Sequence, residues 1–201
     1  MVCHDGEMDS DRRRWDERWN AADDSADAII PTPPDVVRAH RELLDVLPSD
    51  GAGLDLACGI GAQALWMAER GLQVTALDVS GVAIELVRKA AVARGLQIEA
   101  SVQDTDDGLP IDLDELALII CQRYRSTGLY GELVRRLRPG GCLVLTVLSA
   151  VGLRGTPGPF HAPPGELTDA FRDAEAEGVV DVLVDDEGDG QASIVLRRRA
   201  R

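Results

Sequence analysis

Three apolar runs of strand length, at residues 53–58, 72–77 and 97–102, are separated by helical patterns at 62–70 and 80–94. Strands that alternate with helices are joined by crossovers, so they lie parallel in one sheet with helices on its faces. The next run, Leu116 to Cys121, is wholly apolar, as a central strand covered on both faces requires. A helical pattern at 35–47 precedes this unit, and another at 127–138 stops at Pro139-Gly140-Gly141. Beyond it the sequence predicts a strand at 142–148, a Gly/Pro-rich loop at 150–165, a helix at 166–177 and strands at 179–185 and 191–198. The last two are joined by the turn-rich stretch Asp185 to Gly190 and read as an antiparallel hairpin. Asp35 and Ser80 stand where N-caps belong, and Gly71 and Gly95 follow helices. The expected fold is therefore α/β: a doubly wound, mostly parallel sheet of seven strands with a C-terminal antiparallel hairpin.

Within this pattern the first strand runs into a glycine bend, Leu54-Asp55-Leu56-Ala57-Cys58-Gly59-Ile60-Gly61, and then into a helix near Ala62. Backbone amides approach a ligand closely only where no Cβ intervenes, and a helix start presents unpaired N–H groups. This is a nucleotide cradle. The second strand ends on Asp78, where an acid can hold a ribose diol. Residues 59–64 also fit the Gly-x-Gly-x-x-Ala pattern of dinucleotide-binding proteins, which keeps an NAD-binding oxidoreductase in view. Against that reading, the chain has no Tyr-x-x-x-Lys pair and little length for a separate substrate domain.

Composition narrows the partners. The chain has 201 residues and a formal charge of −14, which repels polyanions, and its one basic cluster is the tail Arg197 to Arg201, so no nucleic acid is expected. No apolar run reaches membrane-spanning length, and the acidic start lacks a signal peptide's apolar centre. Cys3, Cys58, Cys121 and Cys142 are scattered without metal spacing, consistent with a reducing compartment. These features together predict a cytoplasmic protein without a membrane partner. Residues 1–34 read as an N-terminal extension carrying a cap helix at Trp15 to Trp19, and 35–201 as the main α/β domain.

The bend at 54–61, Trp15-Asp16-Glu17-Arg18-Trp19 upstream, Asp78, Asp104 after the third strand, and Leu137-Arg138-Pro139-Gly140-Gly141 before the fifth together resemble a class I S-adenosylmethionine-dependent methyltransferase. The likeness is to its small, single-domain thiopurine and tellurite-resistance group, and covers roughly residues 12–198. It implies a Rossmann-like sheet and S-adenosyl-L-methionine as cofactor, with S-adenosyl-L-homocysteine as product. The cofactor set it implies is Asp55, Ala57, Cys58, Gly59, Gly61, Asp78, Val79, Asp104, Thr105 and Cys121. Gly59 and Gly61 would face the methionine part, Asp78 the ribose hydroxyls, and Asp104 with Thr105 the adenine edge; Asp55 would orient the loop or meet the ammonium. Plainer roles stand beside these: Asp78 as an acid near the Ser80 cap, Asp104 as a solvated turn acid.

Methyl transfer from a sulfonium is an in-line displacement, so the enzyme chiefly aligns nucleophile and methyl in a dry pocket. Trp15 and Trp19, four apart and on one helix face, are candidates to line the acceptor site with Gln122 and Arg123; a helix simply docked on the sheet is the alternative. His161, in the 150–165 loop, is the candidate base, and Tyr124 a second catalytic candidate. The expected acceptor is a small polar molecule, with a lean toward O-methylation of a hydroxyl, including a sugar. Sulfur, selenium or tellurium is the close alternative, and a non-catalytic cofactor-binding regulator a further one. Gln122 and Arg123 stand where magnesium-dependent catechol methyltransferases carry acids, so no metal is indicated, although Asp106, Asp107 and Asp112 leave a divalent ion conceivable. A monomer or homodimer is expected.

Overall fold

The computed structural model describes residues 5–21, 28–105 and 108–200. Its strands are β1 (Ala52–Leu56), β2 (Gln73–Asp78), β3 (Ile98–Val102), β4 (Leu116–Gln122), β5 (Leu137–Leu148), β6 (Val180–Gly188) and β7 (Gln191–Arg198). The helices are α1 (Asp5–Asn20), α2 (Asp35–Ala39), α3 (Leu43–Val46), α4 (Ala62–Glu69), α5 (Gly81–Arg94), α6 (Tyr130–Arg136) and α7 (Glu166–Ala176). All seven strands form one sheet in the order β3-β2-β1-β4-β5-β7-β6. β1 to β5 pair in parallel, while β7 runs antiparallel to both β5 and β6. After β3 the chain returns across β1 to lay down β4, so the winding reverses between β1 and β4. The carboxyl ends of the strands open a crevice there.

Alternation along each strand feeds two cores. Leu54, Leu56, Ile119 and Cys121 pack on one face with Leu133 of α6 and Phe171 of α7. On the other face Leu118 and Ile120 meet Met67 of α4 and Ile84 and Val87 of α5. Each fully buried aliphatic side chain contributes roughly 1.5–3 kcal/mol. β4, whose residues Leu116 to Cys121 are all buried, is the central strand that its unbroken apolar run predicts.

Local chemistry explains where the elements end and where sequence expectation and structure part. The Ser80 hydroxyl accepts the Ala83 amide and caps α5, as predicted, and Gly95 closes that helix at φ 66°. Asp35, predicted as an N-cap, is instead the first helical residue after Pro34, where its charge favours the helix start. The single helix expected at 35–47 is two short ones, because i→i+3 bonds such as Leu43 N–H to His40 O tighten the turn between them. β5 begins at Leu137, not 142, and pairs Leu137 with Leu116 before a bulge. Gly141 fits there because a Cβ would come within 2.6 Å of the Leu116 carbonyl oxygen. Among the described residues no helix is long and apolar enough to cross a membrane.

Candidate cofactor and acceptor site

The bend between β1 and α4 is built from backbone that turns left-handed: Ala57, Gly59 and Gly61 have φ of 54°, 52° and 84°. Two amide bonds hold its shape, Cys58 N–H to Leu77 O and Gly61 N–H to Cys58 O, both 2.9 Å. A third link comes from Asp78. Its Oδ2 accepts the Gly59 amide at 2.8 Å and its Oδ1 accepts the Ser80 amide at 2.9 Å. Burial raises the Asp78 pKa, and Asp16 adds to the rise, against the opposing pull of these amides.

Asp55 lies on the other side of the bend. It is buried, accepts the Ala64 amide in the first turn of α4, and is pushed up to about 8, chiefly by burial, with Asp78 adding to the rise. Its Oδ2 is buried without a hydrogen-bond partner. Such an orphaned acceptor is costly unless a ligand or a proton satisfies it. The two glycines differ in what they serve. A Cβ on Gly61 would sit 2.6 Å from Val87 Cγ2, so its bareness lets α5 pack against the bend; a Cβ on Gly59 would meet the Trp19 ring at 3.1 Å.

Trp19 brings α1 over the crevice. Its ring stacks with Trp15 at 6.1 Å, and Asp16, between them in sequence, accepts the Ser80 hydroxyl at 2.5 Å. At the far side the Arg14 guanidinium lies 4.9 Å from the Phe160 ring centroid. α1 therefore runs from the glycine bend to the 150–165 loop. That loop is pinned at its base by Ala162 N–H to Leu148 O at 2.7 Å, and by Glu187, which accepts the Ser149 hydroxyl and the Gly165 amide.

The other expected residues divide into two sets. The Gln103 amide bonds the Asp78 carbonyl at 2.9 Å and brings the ends of β2 and β3 together, with Asp104 and Thr105 the next two residues of the chain. Thr105 is buried, with its hydroxyl 2.6 Å from that of Tyr124, so the second catalytic candidate stands beside one of the residues expected to hold the cofactor. Cys58 and Cys121 are buried, and burial raises both thiols far above their ordinary pKa. By contrast, the Gln122 amide donates to the carbonyls of Cys121 and Val144, and Arg123, exposed at φ 58°, reaches Asp35. His161 Nδ1 accepts the Gly158 amide at 3.0 Å. The same nitrogen lies 3.3 Å from the Gly158 carbonyl oxygen, so the loop holds the ring on its own backbone. Asp106 and Asp107 lie outside the described residues. Among the described residues no group of three or more His, Cys, Asp or Glu is placed to hold a metal ion.

One cluster was not anticipated. Arg125 grips Glu166 with Nε at 2.9 and 3.0 Å and Nη2 at 2.5 Å, and the Tyr130 hydroxyl donates to the same carboxylate at 2.9 Å. Tyr130 and Glu166 line a cleft of about 530 Å³ between α6 and α7, and Arg125 holds Glu166 from behind that lining. The sequence signal for it was thin: an Arg just after β4 and a Glu just after Pro-Pro-Gly.

The strand order, the glycine bend and the acid at the end of β2 define an α/β domain built to hold a nucleotide-like cofactor at its switch point. Residues 54–141 match the family model described as a methyltransferase domain. The chain is 33% identical over 159 residues to the ribosomal RNA small subunit methyltransferase C of Chromohalobacter salexigens, a match covering 73% of this chain and 43% of that protein. It is 27% identical over 127 residues to the ubiquinone biosynthesis O-methyltransferase of Xanthomonas axonopodis pv. citri, covering 61% of this chain and 51% of that one. The fold is similar to that of TehB from Haemophilus influenzae, with a TM-score of 0.65 at 18% identity over 84% of this chain and 63% of that one. These matches make the chain similar to the class I S-adenosylmethionine-dependent methyltransferases. Its matches span about half the length of the two sequence relatives, and the likeness to TehB is one of fold, so the matches define the class and not the thiopurine and tellurite-resistance subgroup.

Proposed function

We propose that the chain transfers a methyl group from S-adenosylmethionine to a small polar acceptor, and that oxygen is the receiving atom. The observation that carries the cofactor assignment is the pair of buried carboxylates flanking the bend: Asp55, with one oxygen unsatisfied, and Asp78, whose two oxygens accept the Gly59 and Ser80 amides. S-adenosylmethionine bears an ammonium and a ribose diol, the groups such carboxylates receive; the pyrophosphate of NAD would be repelled by them. Asp55 would meet the ammonium and Asp78 the diol, with Asp104, Thr105 and Val79 along the adenine and Ala57, Cys58, Gly59, Gly61 and Cys121 shaping the floor. Bound there, the cofactor supplies an activated methyl group with its leaving group built in. Trp15 and Trp19 would shut water out of the crevice.

Support for oxygen comes from the likeness to an O-methyltransferase and from the Thr127 and Tyr130 hydroxyls in the wall of the α6/α7 cleft. The likeness to a ribosomal RNA methyltransferase brings RNA in as a second acceptor class, which the formal charge of −14 opposes. The test is transfer of labelled methyl from S-adenosylmethionine to four acceptor sets: hydroxyl compounds, thiols, tellurite and selenite, and ribosomal RNA. Labelled hydroxyl product supports the proposal. Label confined to thiols, to tellurium or selenium, or to RNA transfers the assignment to that class.

A further inference from the structure

The α6/α7 cleft lies at the carboxyl edge of the sheet. Its walls come from the segment after β4, which carries Thr127 and Tyr130, and from the segment after β5, which carries Pro163, Pro164 and Glu166. Cys121 at the end of β4 pairs with Leu56, the last residue of β1 before the bend, and shares one core cluster with Tyr130. The cleft therefore adjoins the crevice where the methyl donor is assigned. This inference rests on that assignment.

The charges around it are already matched. Glu166 accepts from three donors, two on Arg125 and one on Tyr130, and Asp169, on the rim, is paired with Arg172. A carboxylate so saturated orients its neighbours and does not take a proton from an acceptor. The Arg125 pair lowers the Glu166 pKa below its ordinary value, which keeps the ion pair intact at neutral pH. Tyr130, whose hydroxyl donates a hydrogen bond to Glu166, has oxygen lone pairs left to accept from a ligand. The exposed Thr127 hydroxyl can donate or accept, and the two proline rings give an apolar wall.

We propose that this cleft is the acceptor subsite, and that it selects an uncharged ring compound bearing hydroxyl groups. Tyr130 accepts from one hydroxyl, Thr127 engages another, and Pro163 and Pro164 cover the ring face. An anionic acceptor finds Arg125 already neutralised, and a cationic one finds Glu166 already neutralised, so either ion would lose hydration without gaining a partner.

The experiment uses the full chain saturated with S-adenosylhomocysteine and measures binding by saturation-transfer NMR and calorimetry. The probes are resorcinol and methyl glucoside as neutral ligands, salicylate and glucuronate as anions, and glucosamine as a cation. The expected result is binding of at least one neutral probe in preference to the ions. Tyr130→Phe, and independently the exposed Thr127→Val, should each weaken that binding about fivefold or more while leaving S-adenosylhomocysteine affinity unchanged. Tighter binding of the ions, equal binding by both variants, or no binding of any probe to the loaded protein overturns the subsite and leaves the cofactor assignment standing. Failure of S-adenosylhomocysteine itself to bind removes both.

Discussion

The Asp78 carboxylate, at the end of β2, accepts the amide of Gly59 in the bend after β1 at 2.8 Å. One side chain thus joins the two features of the sequence that point to a nucleotide ligand, and it fixes the bend at the same time as it offers remaining lone pairs to a sugar. A hydrogen bond to a charged group contributes about 1.5–3 kcal/mol. Asp78→Asn should therefore weaken S-adenosylhomocysteine binding by roughly ten- to a hundredfold. Calorimetry with a circular-dichroism check on the fold measures it; an unchanged affinity would show that Asp78 serves the bend alone.

Asp55 makes stability and cofactor binding depend on pH in a definite direction. Its carboxyl ionises near 3.8 when unfolded and near 8 when folded. Between these values the native state binds more protons, so this group's contribution to stability is full below about pH 4 and is lost as pH rises to 8. Asp78, also raised, acts in the same sense. Asp55→Asn should flatten the fall of Tm between pH 5 and 8. A cofactor ammonium calls for the ionised form, so binding at pH 7 should release a proton in the wild type and less in the variant, read by calorimetry in buffers of different ionisation enthalpy. Equal proton release in both proteins would remove Asp55 from the ammonium site.

Gly61 tests packing separately from ligand contact. A Cβ there meets Val87 Cγ2 at 2.6 Å, on backbone with φ 84°. Gly61→Ala should destabilise the protein by about 1–3 kcal/mol. Adding Val87→Ala removes the clash and leaves only the backbone strain, so the double variant should recover part of the loss after the cost of the cavity is subtracted in a double-mutant cycle. Additive losses would mean that the two residues do not touch.

Trp19 covers Gly59, with its indole Nε1 buried and unpartnered. A ligand entering the bend must change the surroundings of that ring. Titration with S-adenosylhomocysteine should shift tryptophan emission in the wild type and in Trp66→Phe, and the shift should vanish in the double variant Trp15→Phe/Trp19→Phe. A shift that persists when Trp66 alone is left would place the ligand elsewhere.

The sheet was legible in the sequence because its strands are apolar runs set between helical repeats, a pattern that survives without knowledge of tertiary contacts. Burial of β4 on both faces and the C-terminal hairpin followed from the same reading. The ends of elements were less legible. Asp35 looks like a cap in sequence, but Pro34 with its fixed φ takes that place, and β5 reaches back through Pro139-Gly140-Gly141 because Leu137 finds Leu116 as a partner. Of the site, Gly59 and Asp78 could be read from spacing alone, since their roles are set within one strand–helix–strand unit. The bonds of Asp16 to Ser80 and of Arg125 and Tyr130 to Glu166 join residues 64, 41 and 36 apart, and no local pattern announces them. Gln122, Arg123 and His161 carry the polar groups that an acceptor site needs, yet the structure engages them with nearby carbonyls, Asp35 and an amide.

The central claim is that the bend after β1 and the two carboxylates beside it hold the methyl donor. A crystal structure of the protein with S-adenosylhomocysteine tests it most directly. The account predicts the ribose hydroxyls on Asp78, the ammonium near Asp55 Oδ2 and Trp19 displaced from Gly59. A ligand bound away from this bend, with Asp78 and Asp55 untouched, would contradict it.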